Sequence, residues 1–543
     1  MSAALALRPG AAAPRRAGAA GGSISPPRQL TEGQKIFAFA AMCVGFFIAL
    51  LDIQIVSASL KDIGGGLSAS PDEVAWVQTS YLIAEIIVIP LSGFLARVMS
   101  TRWLFCVSAV GFTATSLLCG WAWDIGSMIV FRALQGFLGG SMIPTVFTTA
   151  FAFFPGRKVV VAAATIGALS SLAPTLGPTV GGWITDNYSW HWLFFVNLVP
   201  GVFVAVVVPL LVRIDEPDLS LLRQADYLGI ALMAVFLGTL EYALEEGPRW
   251  EWLDDEAVRL CAITALVTGI AFVWRSLTYA HPVVDLTALK SRNFALGCLF
   301  SFVTGVGIFA TIYLTPLFLG RVRGFSALQI GLAVFSTGVF QVMAIPAYTL
   351  CAKRFDLRWL MMFGLALFGL SMWSFTPITH DWGWRELLWP QALRGFAQQF
   401  AVAPTVTLTL GGLPPAKLKL ASGLFNLMRN LGGAIGIAAC GTILNDRTNL
   451  HFLRLAEHLT AANASMTDAL GRISARATIV LGDAAHGQAA GLRQLWSLTY
   501  REAQTMTYAD AFLAIAACFA LATALVPLMR KVAPPQGPSA DAH

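Results

Sequence analysis

The sequence predicts an all-α integral membrane protein with fourteen transmembrane helices. Fourteen apolar stretches follow one another along the chain. A hydrocarbon core about 30 Å thick needs roughly 20 apolar residues as a helix. Hydrophobic residues make up 56% of the 543, and charged residues only 12%, where a soluble domain carries about 25%. The short loops on alternate sides are basic, as membrane orientation requires.

Residues 1–34 are rich in Ala, Gly, Pro and Arg and read as a disordered cytoplasmic tail. Arg15-Arg16 lacks the apolar run of a twin-arginine signal. Hydropathy then places spans at roughly 36–57, 74–96, 103–122, 126–148, 158–183, 191–212, 226–245, 257–277, 294–319, 327–350, 358–377, 386–411, 420–444 and 508–529. Residues 531–543 are a second polar tail. The expected organisation is an N-terminal six-helix bundle over 35–213, two inserted helices with linkers over 214–290, and a C-terminal six-helix bundle over 291–530.

Loops on the side of the termini carry Arg97, Arg102, Arg157, Lys158, Arg213, Arg223, Arg275, Lys290, Arg292, Lys353, Arg354, Arg358, Lys417 and Lys419. The short loops opposite carry Lys61, Arg249, Arg321, Arg323 and Arg385. This asymmetry predicts that both termini lie in the cytoplasm. The net charge of +6 is explained by that orientation and calls for no nucleic acid.

The 445–507 segment is the one long loop, expected in the periplasm. Asn449 to Thr460 reads as an amphipathic helix, with Leu450, Phe452 and Leu453 apolar and Arg454, Glu457 and His458 polar. It is either a solvated spacer or a docking surface for a periplasmic partner.

The eight cysteines are scattered, without metal-ligand spacing. The chain has no Walker A loop, H-E-x-x-H or G-x-S-x-G. No cofactor or metal is therefore expected, and the energy source is expected not to be ATP on this chain.

Intramembrane charges carry the functional signal, because a charge at the bilayer centre costs about 2.5–3.5 kcal/mol on insertion scales. Asp52 lies in the outer half of span one, and Arg132 lies a turn or two inside span four. They are candidates for a proton-sensitive pair, or for a purely structural one. Glu85, near the middle of span two, has no basic residue nearby in sequence. It reads as a proton carrier, a ligand for cationic substrate, or a permanently neutral acid. Arg394, Asn426 and Arg429 are the second-half candidates, with helix–helix hydrogen bonding as the alternative role.

Span five holds Ala173-Pro-Thr-Leu-Gly-Pro-Thr-Val-Gly-Gly182. Ala173, Gly177 and Gly181 form a small-residue stripe, expected to seal the two bundles together. Pro174 and Pro178 remove two backbone donors and should bend the helix. Gly432-Gly-Ala-Ile-Gly436 repeats the theme in span thirteen. Arg132-Ala-Leu-Gln-Gly-Phe137 resembles Gln391-Ala-Leu-Arg-Gly-Phe396, a faint internal repeat of the kind found in secondary transporters.

Four matches carry a resemblance to the major facilitator superfamily, in its 14-span drug/proton antiporter branch and closest to its EmrB-type pumps. Leu51-Asp52 with Ala58 resembles the branch's first-helix motif, and Arg132 with Gln135-Gly136 its proton-transfer motif. Gly177-Pro178 with Gly181-Gly182 resembles the fifth-helix antiporter signature. Leu413-Pro-Pro, followed by Leu424-Phe-Asn-Leu-Met-Arg-Asn-Leu-Gly-Gly433, looks like the segment leading into span thirteen. The loop after span two, Gly93-Phe-Leu-Ala-Arg97-Val-Met-Ser-Thr-Arg102, keeps the glycine and arginines of the superfamily's loop motif but lacks its acid.

The resemblance implies the major facilitator fold. It also implies proton-driven export of hydrophobic or amphiphilic drugs, with a separate periplasmic adaptor and an outer-membrane channel as partners. Import or export of a single metabolite is the alternative. A membrane enzyme or sensor is disfavoured, because the chain shows no catalytic cluster or soluble domain.

Overall fold

The computed structural model describes residues 30–531, apart from 155, 157, 281, 461 and 462. The expectations for 1–29 (Arg15-Arg16 among them), Arg157 and 532–543 lie outside the described residues. Seventeen α-helices, and no strand, occur among the described residues.

In the first half these are α1 (Glu32–Ala58), α2 (Leu60–Leu67), α3 (Pro71–Val98), α4 (Thr101–Gly120), α5 (Ile125–Phe153), α6 (Lys158–Asn187), α7 (Trp192–Phe195) and α8 (Leu198–Leu211). The pair α9 (Tyr227–Glu246) and α10 (Glu256–Thr278) follows. The second half holds α11 (Arg292–Arg321), α12 (Ala327–Arg354), α13 (Leu357–Ser374), α14 (Trp384–Leu410), α15 (Pro415–Ala456), α16 (Ala464–Leu481) and α17 (Ala484–Leu525).

Polar caps mark several starts. Gln34 N donates to Thr31 Oγ1, and Thr31 N to Gln34 Oε1, a reciprocal cap at α1. Ser70 with Glu73 and Ser326 with Gln329 do the same for α3 and α12.

Among the described residues thirteen helical stretches, with α7 and α8 counted as one, are long and apolar enough to cross a membrane. The expected twelfth span, α14, is not among them. Its Gln391, Arg394, Gln398 and Gln399 lower its hydropathy, yet all four are buried. Packing against α12 and α13 hides a polar helix inside the protein. The apolar residues of α10 point the other way, with Leu260, Ile263, Leu266, Val267 and Ile270 all exposed, as a lipid-facing helix requires.

The two halves pack alike. α1 lies on α6 as α11 lies on α15, and α3 lies on α5 as α12 lies on α14. Gly136 on α5 and Gly395 on α14 hold matching places. A Cβ on the first would stand 2.3 Å from the Tyr81 carbonyl oxygen of α3, and on the second 2.1 Å from that of Thr337 on α12. The faint sequence repeat thus marks the close crossing of the second and fourth helices of each half.

The halves meet along α6–α12 and α3–α15. Gly331 of α12 packs against Thr179 of α6, and Gln341 Nε2 donates to the Gly167 carbonyl at 3.0 Å. The Ala173–Gly177–Gly181 stripe faces elsewhere, against the expectation that it joins the halves. A Cβ on Gly177 would stand 2.2 Å from Gln54 Cβ, and on Gly181 2.7 Å from the Ile55 carbonyl oxygen. Both partners are on α1, so the stripe draws α1 and α6 together inside one half.

The 445–507 segment is not a loop. α15 and α17 are each 42 residues long, about 63 Å at 1.5 Å per residue, twice the hydrocarbon thickness. Both run on beyond the membrane, and α16 folds back on α17. Gly487 and Gly491 of α17 let Thr478 and Ser474 of α16 approach. Trp496 and Tyr500 stack at 5.0 Å, and Phe452 of α15 sits 6.0 Å from Trp496. The turn at Gly482, with φ +74°, carries Ile479, Val480 and Leu481 exposed at the tip.

Candidate functional site

Asp52 of α1 and Arg132 of α5 are fully buried and joined, with Nη1 to Oδ2 at 2.5 Å. The other carboxylate oxygen accepts from Asn197 Nδ2 at 2.7 Å and from Gln135 Nε2 at 3.1 Å. Both amides also reach Ser116 Oγ on α4, at 3.2 and 2.6 Å. Arg132 donates further, from Nη1 to Gln135 Oε1 at 2.6 Å and from Nε to the Val77 carbonyl at 3.2 Å. Its guanidinium lies 4.2 Å from the centre of the Tyr81 ring. The Tyr81 hydroxyl in turn donates to the Ala49 carbonyl of α1 at 3.2 Å.

One carboxylate therefore gathers α1, α4, α5 and the α7–α8 junction into a single polar knot. Removing one partner of a buried, hydrogen-bonded pair costs about 3–5 kcal/mol. A proton on Asp52 removes the charge without removing the side chain. Sequence reasoning found Asp52 and Arg132 but missed Asn197 and Ser116. Asn197 sits where α7 gives way to α8, a junction with no periodic signal of its own.

Glu85 of α3 is also buried. Its partners, invisible near it in sequence, come from α15. Arg429 faces it, and Asn430 stands in hydrogen-bonding reach. Arg132 also acts on it electrostatically. Glu85 and Arg429 line a central cavity of about 80 Å³ with Gln54, Gln78, Ser170, Pro174, Glu241 and Glu245. Asp52 does not line it. Glu241 and Glu245 belong to α9 and were missed, because a pair of acids near the end of an apolar stretch reads as interfacial. Their four-residue spacing, which sets them on one helix face, was the available signal.

The second-half candidates do not assemble around a carboxylate as Arg132 does. Arg394 Nη2 donates to Thr337 Oγ1 at 2.9 Å, and that hydroxyl donates to Gln391 Oε1 at 2.6 Å. Arg429 Nη1 reaches Ser170 Oγ on α6 at 3.4 Å. Asn426 Nδ2 donates to the Ser422 carbonyl at 2.9 Å within its own helix. Of the antiporter-motif residues, Pro174 lines the cavity, Gly177 and Gly181 carry the α1 contact, Gly182 is buried, and α6 runs unbroken through Pro178.

An acid from outside the loop after span two meets its end. Asp215, in the linker after α8, accepts from Thr101 N at 3.0 and 3.1 Å and so caps α4. It also pairs with Lys419 at the start of α15. Lys419 Nζ donates to the Ala96 carbonyl of α3 at 3.1 Å. Beside it, a Cβ on Gly93 would stand 2.6 Å from the Lys419 carbonyl oxygen. This contact ties the end of α3 to the start of α15 on the face where α1 begins.

A sequence model of the Major Facilitator Superfamily matches residues 42–437 and 297–533. The chain is 40% identical to the colistin resistance protein EmrB of Acinetobacter baumannii, over 81% of this chain and 86% of that one. It is 32% identical to the multidrug export protein EmrB of Escherichia coli K12, over 80% and 85%. Among solved structures, the proton:xylose symporter XylE superposes with a TM-score of 0.56 at 12% identity, covering 90% of this chain and 95% of that one. The human organic anion transporter MFSD10 gives 0.54 at 13%, covering 90% and 100%. At those identities the structural likeness concerns the fold.

Proposed function

The chain belongs to the major facilitator superfamily, among its EmrB-type pumps, and on that premise we propose that it exports hydrophobic or amphiphilic drugs in exchange for protons. Relatives named for multidrug export support the drug-efflux part. The buried Asp52–Arg132 pair carries the proposal of proton coupling.

Two access states need an element whose stability depends on protonation. With Asp52 charged, the knot holds α1 against α4, α5 and α8. With Asp52 neutral, Arg132 keeps Gln135 Oε1 and the Val77 carbonyl, and the ionic tie to α1 is gone. Asp52 has no exposure of its own, whereas Glu85 lines the cavity. Glu85 therefore serves as the relay from the cavity to Asp52, which keeps the proton, and Arg132, which acts on both acids, couples them. Substrate binding in the cavity competes with the protonated state, so that each cycle exchanges one for the other.

We place the termini in the cytoplasm of an inner membrane, on the basic-loop asymmetry. The α15–α17 hairpin then projects into the periplasm. Its exposed Ile479, Val480 and Leu481 suit an adaptor that leads to an outer-membrane channel. The chain thereby serves as the inner-membrane part of a tripartite pump.

Everted vesicles with a fluorescent dye in the external medium test the reading. Energised vesicles should move dye inward, and collapse of the proton gradient should stop them. Movement that ignores the gradient, or that is confined to one metabolite, would overturn it.

A further inference from the structure

We propose that Glu241 and Glu245 of α9, together with Glu85, form a binding site for the positively charged head of an amphiphilic organic cation. The proposal deepens the export reading and rests on it for the site's purpose.

α9 lies outside both six-helix halves, yet it is fastened to each. Gly238 packs beside Ile83 and Ile87 of α3, and Tyr242 stacks on Trp76 at 5.5 Å. Just beyond α9, Trp252 Nε1 donates to Thr442 Oγ1 of α15 at 2.9 Å. The Asn445 side chain of α15 donates to the Pro248 carbonyl. The outer end of α9 is thus held across the cleft between α3 and α15.

Its acids divide into two kinds. Asp226 pairs with Arg275 at 2.7 Å, and Glu246 accepts from the Trp250 indole at 2.9 Å and pairs with Arg249 at 3.7 Å. Glu241 is only 5% exposed, and its Oε2 has no hydrogen-bond partner among the described residues. It lines the cavity, one turn from Glu245.

A buried carboxylate oxygen without a partner is expensive. A helix could avoid the expense with any apolar residue at that position. The cavity gathers three carboxylates and one guanidinium, Arg429. Leu50, Ile53, Leu82, Ile308 and Phe309 form its apolar wall. Three carboxyl groups against one guanidinium suit a cation, and the apolar wall suits what the cation is attached to. About 80 Å³ is the room of two to three waters at roughly 30 Å³ each. That accommodates an ammonium-sized head while the rest of the ligand extends along the cleft.

The test is equilibrium binding to the full-length protein purified in detergent, with no gradient present. The probes are dodecyltrimethylphosphonium, a lipophilic cation with a small head, and an uncharged naphthylamine. Glu241→Gln should weaken phosphonium binding by about tenfold, as loss of one charge-assisted contact implies. Naphthylamine binding should stay unchanged. Glu241→Asp should recover most of the loss, and Glu245→Gln should act in the same direction. Phosphonium binding unchanged in Glu241→Gln would overturn the proposal. So would equal loss of both probes, or loss of substrate-evoked proton release with phosphonium affinity intact. Because binding needs no coupling, a protein that binds as expected but pumps without protons would sink the export reading and leave this site standing.

Discussion

The guanidinium of Arg132 closes on Asp52 at 2.5 Å, with both side chains cut off from solvent. Four helical elements meet at this pair, so its state of charge is felt by the whole first half of the molecule.

Asn197 holds Asp52 from the α7–α8 junction at 2.7 Å. Asn197→Ala removes a donor to a buried carboxylate, a loss of about 1–3 kcal/mol. Active efflux should fall several-fold while protein yield stays within about twofold, a partition that few surface substitutions show. Paired efflux and immunoblot measurements check it, and unaltered efflux would count against the knot.

Gly177 allows α1 and α6 to touch, since a Cβ there would stand 2.2 Å from Gln54 Cβ. Gly177→Val should cost about 1–3 kcal/mol through overpacking. It should lower both the thermal midpoint and transport. A native midpoint with full transport would mean that α1 yields freely.

Asp215 caps α4 and pairs with Lys419. Asp215→Ala should cost about 1 kcal/mol for the lost cap alone. It should also loosen the face on which α1 begins. In a cysteine-free background, Ser422→Cys beneath this contact should react faster with a water-soluble thiol reagent once Asp215 is gone. An unchanged rate would mean that Asp215 does not hold α3 and α15 together there.

The hairpin is the expected adaptor surface. Deleting 460–495 removes α16 and the first turns of α17. It spares the tie between His451 Nε2 and Asp510 Oδ2 at 2.8 Å. The trimmed protein should still move dye in everted vesicles but confer no resistance on intact cells. Full resistance in cells would leave the hairpin as a spacer.

The sequence shows the apolar spans, because hydropathy needs no partner to be read. α14 is the instructive exception. Arg394, Gln398 and Gln399 reveal their burial only once α12 and α13 surround them. Asp52 and Arg132 stood out as charges in apolar runs, and the fold brings them together. Asn197 and Asp215 lie at helix junctions, where a polar residue is unremarkable until its partner is known. The Gly177 stripe was legible as a close contact, but its neighbour was not, since a stripe of small residues names no partner. The hairpin was hidden for a related reason. Past the membrane, α15 and α17 trade a continuous apolar run for a mixed one, and the helix continues while the hydropathy signal stops.

The central claim is that Asp52 carries the exchanged proton. Proton release on addition of substrate, measured beside substrate binding in purified protein, tests it most directly. Asn at position 52 can still accept from Asn197 and Gln135 but cannot change its charge, and retained binding serves as the control for folding. Wild-type protein should release protons as substrate binds, whereas Asp52→Asn should bind substrate and release none. Release at the wild-type level by Asp52→Asn would contradict the account and shift proton coupling to Glu85.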